Sequence, residues 1–287
     1  MTQPLLELDP QIFGAYFNRK PFHVRHGLNG HRLFELPRLL QLARSLPEKF
    51  VEYNAGHLPV GVRPEDTPRT GLSAEETIRR IQDCGSWMVL KRVEQDPEYG
   101  AILDRCLDEI GAHASRLAPP MRSRQGFIFL SSPGAVTPFH IDHEYNFLLQ
   151  IRGSKTVNMW DPEDRFVLPD EELERFYASF AHRNLPWRDV FQTTAFVLPL
   201  APGQGLHFPV TVPHWVKNGP EVSVSFSITF STAQSERREL LYKANARLRK
   251  LGITPTPPGQ SILLDRTKQL AFGSAAQIKR LFKLEKG

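Results

Sequence analysis

Cysteine is scarce in this chain: Cys84 and Cys106 are the only two among 287 residues. They have no metal-site spacing and cannot build a disulfide framework, which excludes a disulfide-stapled scaffold and points to two ordinary thiols in a reducing compartment. Long apolar runs are missing as well, and none approaches the roughly 20 residues needed to span a bilayer. The N-terminus, Met1-Thr-Gln-Pro-Leu-Leu-Glu-Leu-Asp9, lacks both the basic flank and the apolar stretch of a secretion signal. A soluble, cytoplasmic protein with no membrane partner is therefore expected. Internal repeats and low-complexity tracts are also absent, which sets repeat architectures aside. At 40% hydrophobic residues, a chain of this length can bury a substantial core, and one large domain with an appendage is expected.

Basic charge is confined to one end. From Glu236 onward there are twelve Lys or Arg against four Asp or Glu, a local balance of +8 in a chain of net +5. Ser235 to Leu251 reads as an amphipathic helix with Leu240, Leu241, Ala244, Leu248 and Leu251 on one side, stopped by Gly252. Thr254-Pro-Thr-Pro-Pro-Gly259 is a rigid connector, and Ala275 to Leu284 reads as a last short basic helix. No aromatic interleaving or nucleic-acid motif accompanies these charges, so nucleic acid is not an expected partner.

Upstream, helix and strand signals mix. Pro37 to Leu46 has helical periodicity and Lys49 to Tyr53 alternates like a strand. Ser73-Ala-Glu-Glu76 is a capping-box signature, predicting a helix from there to about Asp83. Asp96 to about Leu117 reads as helical, with breaks at Gly100 and Gly111. Strand signals then take over: Gly126 to Leu130, Tyr145 to Ile151 pairing through Arg152-Gly-Ser154 with Lys155 to Trp160, and Thr194 to Leu198. Glu171 to His182 reads as a surface helix with His182 solvated. Val222 to Phe230 alternates apolar and hydroxylic residues over nine positions. Such a strand fits the wall of a barrel holding a polar ligand, with Ser225, Ser227 or Thr229 toward the cavity and Phe226 and Ile228 under covering helices.

The chemistry concentrates in Thr137-Pro-Phe-His-Ile-Asp-His-Glu-Tyr-Asn146, followed by Lys155 and, much later, Val212-Pro-His214-Trp. Two histidines and one carboxylate can hold non-haem Fe(II) on one side and leave its other positions open. If residues 139–143 form a strand, His140 and Asp142 project from one face toward one metal. His214 is the third candidate, because Pro202-Gly-Gln-Gly-Leu-His-Phe-Pro209 has the punctuation of a turn feeding a strand. His143, one residue out of phase, should face away from the metal. His207 is the rival distal ligand, with a cavity-lining role preferred for it.

These residues together resemble the JmjC-type branch of the cupin superfamily, the 2-oxoglutarate-dependent oxygenases that include the asparaginyl hydroxylase of hypoxia-inducible factor. Thr137, three before the first His, Asn146, six after it, and Lys155, fifteen after it within Asn146-Phe-Leu-Leu-Gln-Ile-Arg-Gly-Ser-Lys155, stand at the family's offsets. The stretch from Gly203 to Pro209 resembles the family's run before its distal His, departing from it at Gln204 and His207. The resemblance implies Fe(II) on His140, Asp142 and His214 as the catalytic site, and 2-oxoglutarate as cosubstrate. Lys155 and Thr137 would take its distal carboxylate, Asn146 would lie near it, and Ser225 and Thr229 would line the same pocket. It also implies a mainly β fold with flanking helices: a double-stranded β-helix (jelly-roll) core of about eight strands at 120–235, behind an N-terminal α/β region at 1–119. A C-terminal helical segment at 236–287 would mediate homodimerisation. Three functional readings remain: a hydroxylase of a protein or peptide side chain using O2, an oxygenase of a free amino acid or other small metabolite, and a non-catalytic cupin-like regulator.

Overall fold

The structure, a computed structural model, describes residues 3–284 apart from 116, 119 and 180–182, and no side chain beyond 273. The expectation for His182 therefore lies outside the described residues. The first third of the chain comprises β1 (Leu6–Glu7), α1 (Pro10–Tyr16), β2 (Phe22–His26), α2 (Leu36–Ser45), β3 (Val51–Ala55), α3 (Ala74–Arg79), β4 (Ser86–Lys91) and α4 (Pro97–Ala114). Next come β5 (Arg122–Ser131), β6 (Val136–His140), β7 (Tyr145–Arg152), β8 (Lys155–Met159) and helix α5 (Asp170–Ser179). Strands β9 (Phe196–Leu200), β10 (Gln204–Phe208), β11 (His214–Asn218) and β12 (Ser223–Ser231) complete the barrel, and α6 (Ala233–Lys250) and α7 (Ile262–Leu284) close the chain.

The strands form two antiparallel sheets, one ordered β1-β2-β10-β7-β12-β5-β4-β3 and the other β6-β11-β8-β9. Four strands of the first face the four of the second, which is a jelly roll; β1–β2 and β4–β3 prolong the larger sheet on either side. Its outer face packs under the N-terminal helices, where Phe226, Ile228 and Phe147 meet Phe34, Leu39 and Leu103 in one buried cluster. The inner apolar filling is separate and includes Leu148, Val157, Met159, Leu206, Phe208 and Val216. In β12 the period of two is realised in this way, with Phe226 and Ile228 outward under helices and Ser225 and Ser227 inward, all buried.

Several local expectations change. The Tyr145–Ile151 and Lys155–Trp160 hairpin does not form: β7 pairs with β10 and β12, so both its edges are taken, while β8 pairs with β9 and β11 in the opposite sheet. Arg152-Gly-Ser154 is a sheet-to-sheet corner. Gly153 sits there at φ +66, and a Cβ on it would come within 2.5 Å of the Val222 carbonyl oxygen. Helix α4 runs unbroken through Gly100 and Gly111; Gly100 lets the helix pass the Glu94 carbonyl, which a Cβ would approach to 2.9 Å. The Ser73 capping box is present with both its hydrogen bonds, but the helix ends at Arg79. The last helix begins at Ile262, well before Ala275.

Candidate metal centre

His140 closes β6 and His214 opens β11, and the two are paired directly across the sheet. Their rings lie 4.0 Å apart between centroids. Asp142 is not on a strand, since β6 stops at His140; the carboxylate arrives by the chain turning out of the sheet. That turn is fixed by the Thr211 N–H, which donates to the Asp142 carbonyl at 2.9 Å, with Thr211 itself in the left-handed region at φ 61. A β-branched residue held there stores strain, which the surrounding structure has to offset. The result is that Asp142 Oδ2 stands 3.9 Å from the Nε2 of each histidine.

Both imidazoles are prepared in the same way. His140 Nδ1 bonds the Pro138 carbonyl at 2.7 Å and His214 Nδ1 the Val212 carbonyl at 2.9 Å. A carbonyl only accepts, so each ring carries its proton on Nδ1 and presents an Nε2 lone pair to the cluster. Burial, the neighbouring His214 and the Arg183 charge hold His140 well below its ordinary pKa, and burial takes His214 down to about 4. Neutral imidazoles at physiological pH and one carboxylate, with ligand atoms all within 4.8 Å of one another, are the donor set that suits Fe(II), so the residues fit the metal.

The cluster opens into a cavity of about 610 Å³ whose wall includes Thr137, His140, Asp142, Asn146, Ser227 and Thr229. Ser227 donates to Asn146 Oδ1 at 2.8 Å, which fixes that amide with its NH2 group left to donate elsewhere. Thr229 donates to the Gln125 carbonyl at 3.2 Å. Ser225 is not on this wall: its hydroxyl donates to Gln150 Oε1 at 2.6 Å inside a buried network. Lys155 is also absent from this wall and borders a smaller hollow of about 360 Å³ with Lys217 and Asn218. It is nevertheless buried in the barrel, facing Asn218 across β11, with no ion pair or hydrogen bond to its ammonium among the described residues. Burial alone pulls its pKa down to about 7. Asn218 Oδ1 beside it is likewise buried without a partner. An isolated buried cation is costly, and a bound carboxylate would relieve it.

The sequence matches no family model and no curated protein. Solved structures do match. YcfD of Escherichia coli, described as a ribosomal oxygenase, aligns over 96% of this chain and 68% of its own at 16% identity, with a TM-score of 0.53. Its complex with cobalt and 2-oxoglutarate gives 0.52 at 16% identity, and that with cobalt and succinic acid 0.51 at 15%, each over 96% of this chain and 68% of the other. The chain has the fold of YcfD. At this identity, what it shares with YcfD is the architecture, and the chemistry rests on its own residues.

Within this YcfD-like barrel His207 does not line the cavity as expected. On β10 it faces the helix-covered side, fully buried and stacked on Phe17 at 5.1 Å. Its Nε2 accepts from the Asn18 N–H at 3.0 Å, so its Nδ1 donates to the Asn146 carbonyl at 3.1 Å, and both ring nitrogens are spent. Burial lowers its pKa to about 3. Because the unfolded chain then binds the proton more readily, stability is full above about pH 6.5 and falls as the pH drops, by up to ~1.4 kcal/mol per unit. His207→Phe keeps the ring packing and removes the titration. Its urea midpoint should be lower than wild type at pH 7 yet change less between pH 7 and 5, and equal pH slopes would refute the assignment.

His143 lines the cavity but pairs with Glu144 at 3.3 Å and lies outside the three-ligand cluster. Sequence reasoning missed Arg183, which pairs with Asp142 Oδ1, and the aromatic wall of Trp87, Phe127 and Phe129. The second had a signal, since Phe127 and Phe129 alternate in a strand. The first had none.

Proposed function

We propose that this protein is an Fe(II)- and 2-oxoglutarate-dependent oxygenase that hydroxylates a protein or peptide side chain. The observation that carries the reading is the His140–Asp142–His214 cluster, with Nδ1-tethered imidazoles, beside a cavity that His140 and Asp142 line. Iron held there would supply the oxidative chemistry that couples conversion of 2-oxoglutarate to succinate with substrate hydroxylation. His140 and His214 offer neutral nitrogens without first losing protons, and Asp142 supplies the one negative charge. Lys155 would bind the distal carboxylate, Thr137 would donate a hydrogen bond to it, and Asn146, oriented by Ser227, would donate from its NH2 group. In this reading 120–235 is the catalytic core, 1–119 contributes the substrate wall, and 236–287 serves assembly.

The cavity shape supports a peptide over a metabolite. Its lining runs from the metal cluster over Phe127 and Phe129 of β5 to Trp87 of β4 and Glu52 and Asn54 of β3, so it reaches the strands that prolong the sheet past the barrel, where an extended chain could lie. YcfD is described as a ribosomal oxygenase, so ribosomal proteins form the first substrate class to screen. The test is succinate release from iron-loaded protein with 2-oxoglutarate, alongside mass spectrometry of peptide pools for gain of one oxygen. Turnover stimulated only by free amino acids would favour the metabolite reading. Absence of both metal uptake and turnover would leave a non-catalytic barrel.

No described helix is long and apolar enough to cross a membrane, and Cys84 and Cys106 are both free thiols, in keeping with a cytoplasmic protein. A homodimer through the C-terminal helices is supported by Leu251, Ile253, Ile262 and Leu263, all large, apolar and exposed. Sedimentation should give a dimer that the double change Ile262→Glu and Leu263→Glu converts to a monomer; an unchanged mass for the variant would rule this interface out.

A further inference from the structure

Arg183 has no place in the chemistry described so far, yet it holds one oxygen of the candidate metal-binding carboxylate. Its backbone is fixed beside the ligand-bearing stretch: the Ile141 N–H donates to the Arg183 carbonyl at 3.3 Å, and the Leu185 N–H to the Phe139 carbonyl at 2.9 Å. Between them Asn184 bridges His140 and anchors to the Val62 carbonyl at 2.8 Å. Residues 183–185 thus run as an irregular extra strand along the end of β6, and the Arg183 side chain turns back into the cavity. There its guanidinium pairs with Asp142 Oδ1, while Oδ2 is the oxygen 3.9 Å from both histidine nitrogens.

The two oxygens of Asp142 therefore have separate partners, and the difference matters to a metal. A carboxylate with both oxygens free can grip a cation through one or through both. With two histidines and one carboxylate oxygen, a six-coordinate ion keeps three open positions, enough for a chelating 2-oxo acid and oxygen. A second carboxylate oxygen would take one of them. A fixed positive charge next to a dication also repels it, so a group that served only to retain metal would not be an arginine.

We propose that Arg183 is a positioning residue that occupies Asp142 Oδ1, confines the carboxylate to a single ligating oxygen and so keeps a coordination position open for the cosubstrate. This rests on the iron and 2-oxoglutarate reading above. The full chain carries the test, with Co(II) as the metal probe and its visible spectrum as the readout, which needs no turnover. Wild type is titrated first with cobalt and then with 2-oxoglutarate, and Arg183→Ala and Arg183→Lys are treated alike. Arg183→Ala should bind cobalt at least as tightly as wild type, with an altered spectrum, but bind 2-oxoglutarate about 10- to 100-fold more weakly, the range typical of lost outer-shell support. Arg183→Lys, which keeps a donor and a charge, should recover part of that affinity.

Two results would overturn the inference while leaving the parent reading intact: an unchanged 2-oxoglutarate titration in Arg183→Ala, or parallel loss of cobalt and 2-oxoglutarate, as expected of a clamp that merely holds the loop. Wild-type protein that takes up no cobalt, or whose cobalt spectrum ignores 2-oxoglutarate, would instead overturn the parent reading, and the inference with it.

Discussion

Asp142→Ala and His214→Ala should each abolish binding of one divalent metal ion per chain. Loss of an outer-shell group typically costs roughly 10- to 100-fold in affinity, and loss of one of only three protein ligands should cost far more. The two variants fail for different reasons. Asp142→Ala removes the only negative charge in the cluster and leaves Arg183 beside it unpaired, so the site becomes repulsive toward a cation. His214→Ala opens a hole at a nearly buried position, with the side chain 5% exposed, and removes both a ligand nitrogen and the ring packed 4.0 Å from that of His140. His207→Ala is the control: that ring faces the helix-covered side of the sheet and should leave metal stoichiometry at wild type. Metal content after anaerobic loading and desalting measures all three. If His207→Ala empties the site while His214→Ala keeps it, the distal ligand has been misassigned.

What was legible in the sequence was what depends on nearby residues. The capping box at Ser73 and Glu76 is a contact within one turn, and it forms. The alternation from Val222 to Phe230 is a property of the strand itself, and β12 separates its hydroxyls from its aromatics accordingly. The spacing of His140, Asp142 and His214 was readable too, although Asp142 reaches the cluster from a turn and not from the strand that the spacing suggested. What depends on distant partners was not legible. Nothing local says that β7 finds both its neighbours among later strands, so a short link between two strands looked like a hairpin. Period two says that His207 and Phe208 face opposite ways but not which way is inward, and Phe17 and Asn18, which settle it, lie almost two hundred residues earlier. Arg183 was invisible for the same reason, because its link to Asp142 exists only once residues 183–185 have docked against β6.

Lys155→Ala should leave metal binding intact and raise the apparent constant for 2-oxoglutarate steeply. Truncating one member of a buried, hydrogen-bonded charge pair costs roughly 2 to 5 kcal/mol, which is on the order of 30-fold to a few thousand-fold. Thr137→Val should act in the same direction with about 1 to 3 kcal/mol, the cost of one lost hydrogen bond to a carboxylate. The burial of Lys155 adds a pH signature. Burial lowers its pKa to about 7, so in the free protein the ammonium loses its proton as pH rises through neutrality, and the neutral amine cannot pair with a carboxylate. Bound 2-oxoglutarate would raise that pKa again, so binding takes up a proton above pH 7 and the apparent constant should grow by up to about tenfold per pH unit. Lys155→Arg, charged throughout this range, should bind with little pH dependence. Titrating the anaerobic metal complex with 2-oxoglutarate at pH 6.5, 7.5 and 8.5 reads both effects at once. An unchanged titration in Lys155→Ala would mean that the buried ammonium does not meet the cosubstrate, and the cosubstrate assignment would fall while the metal site stood.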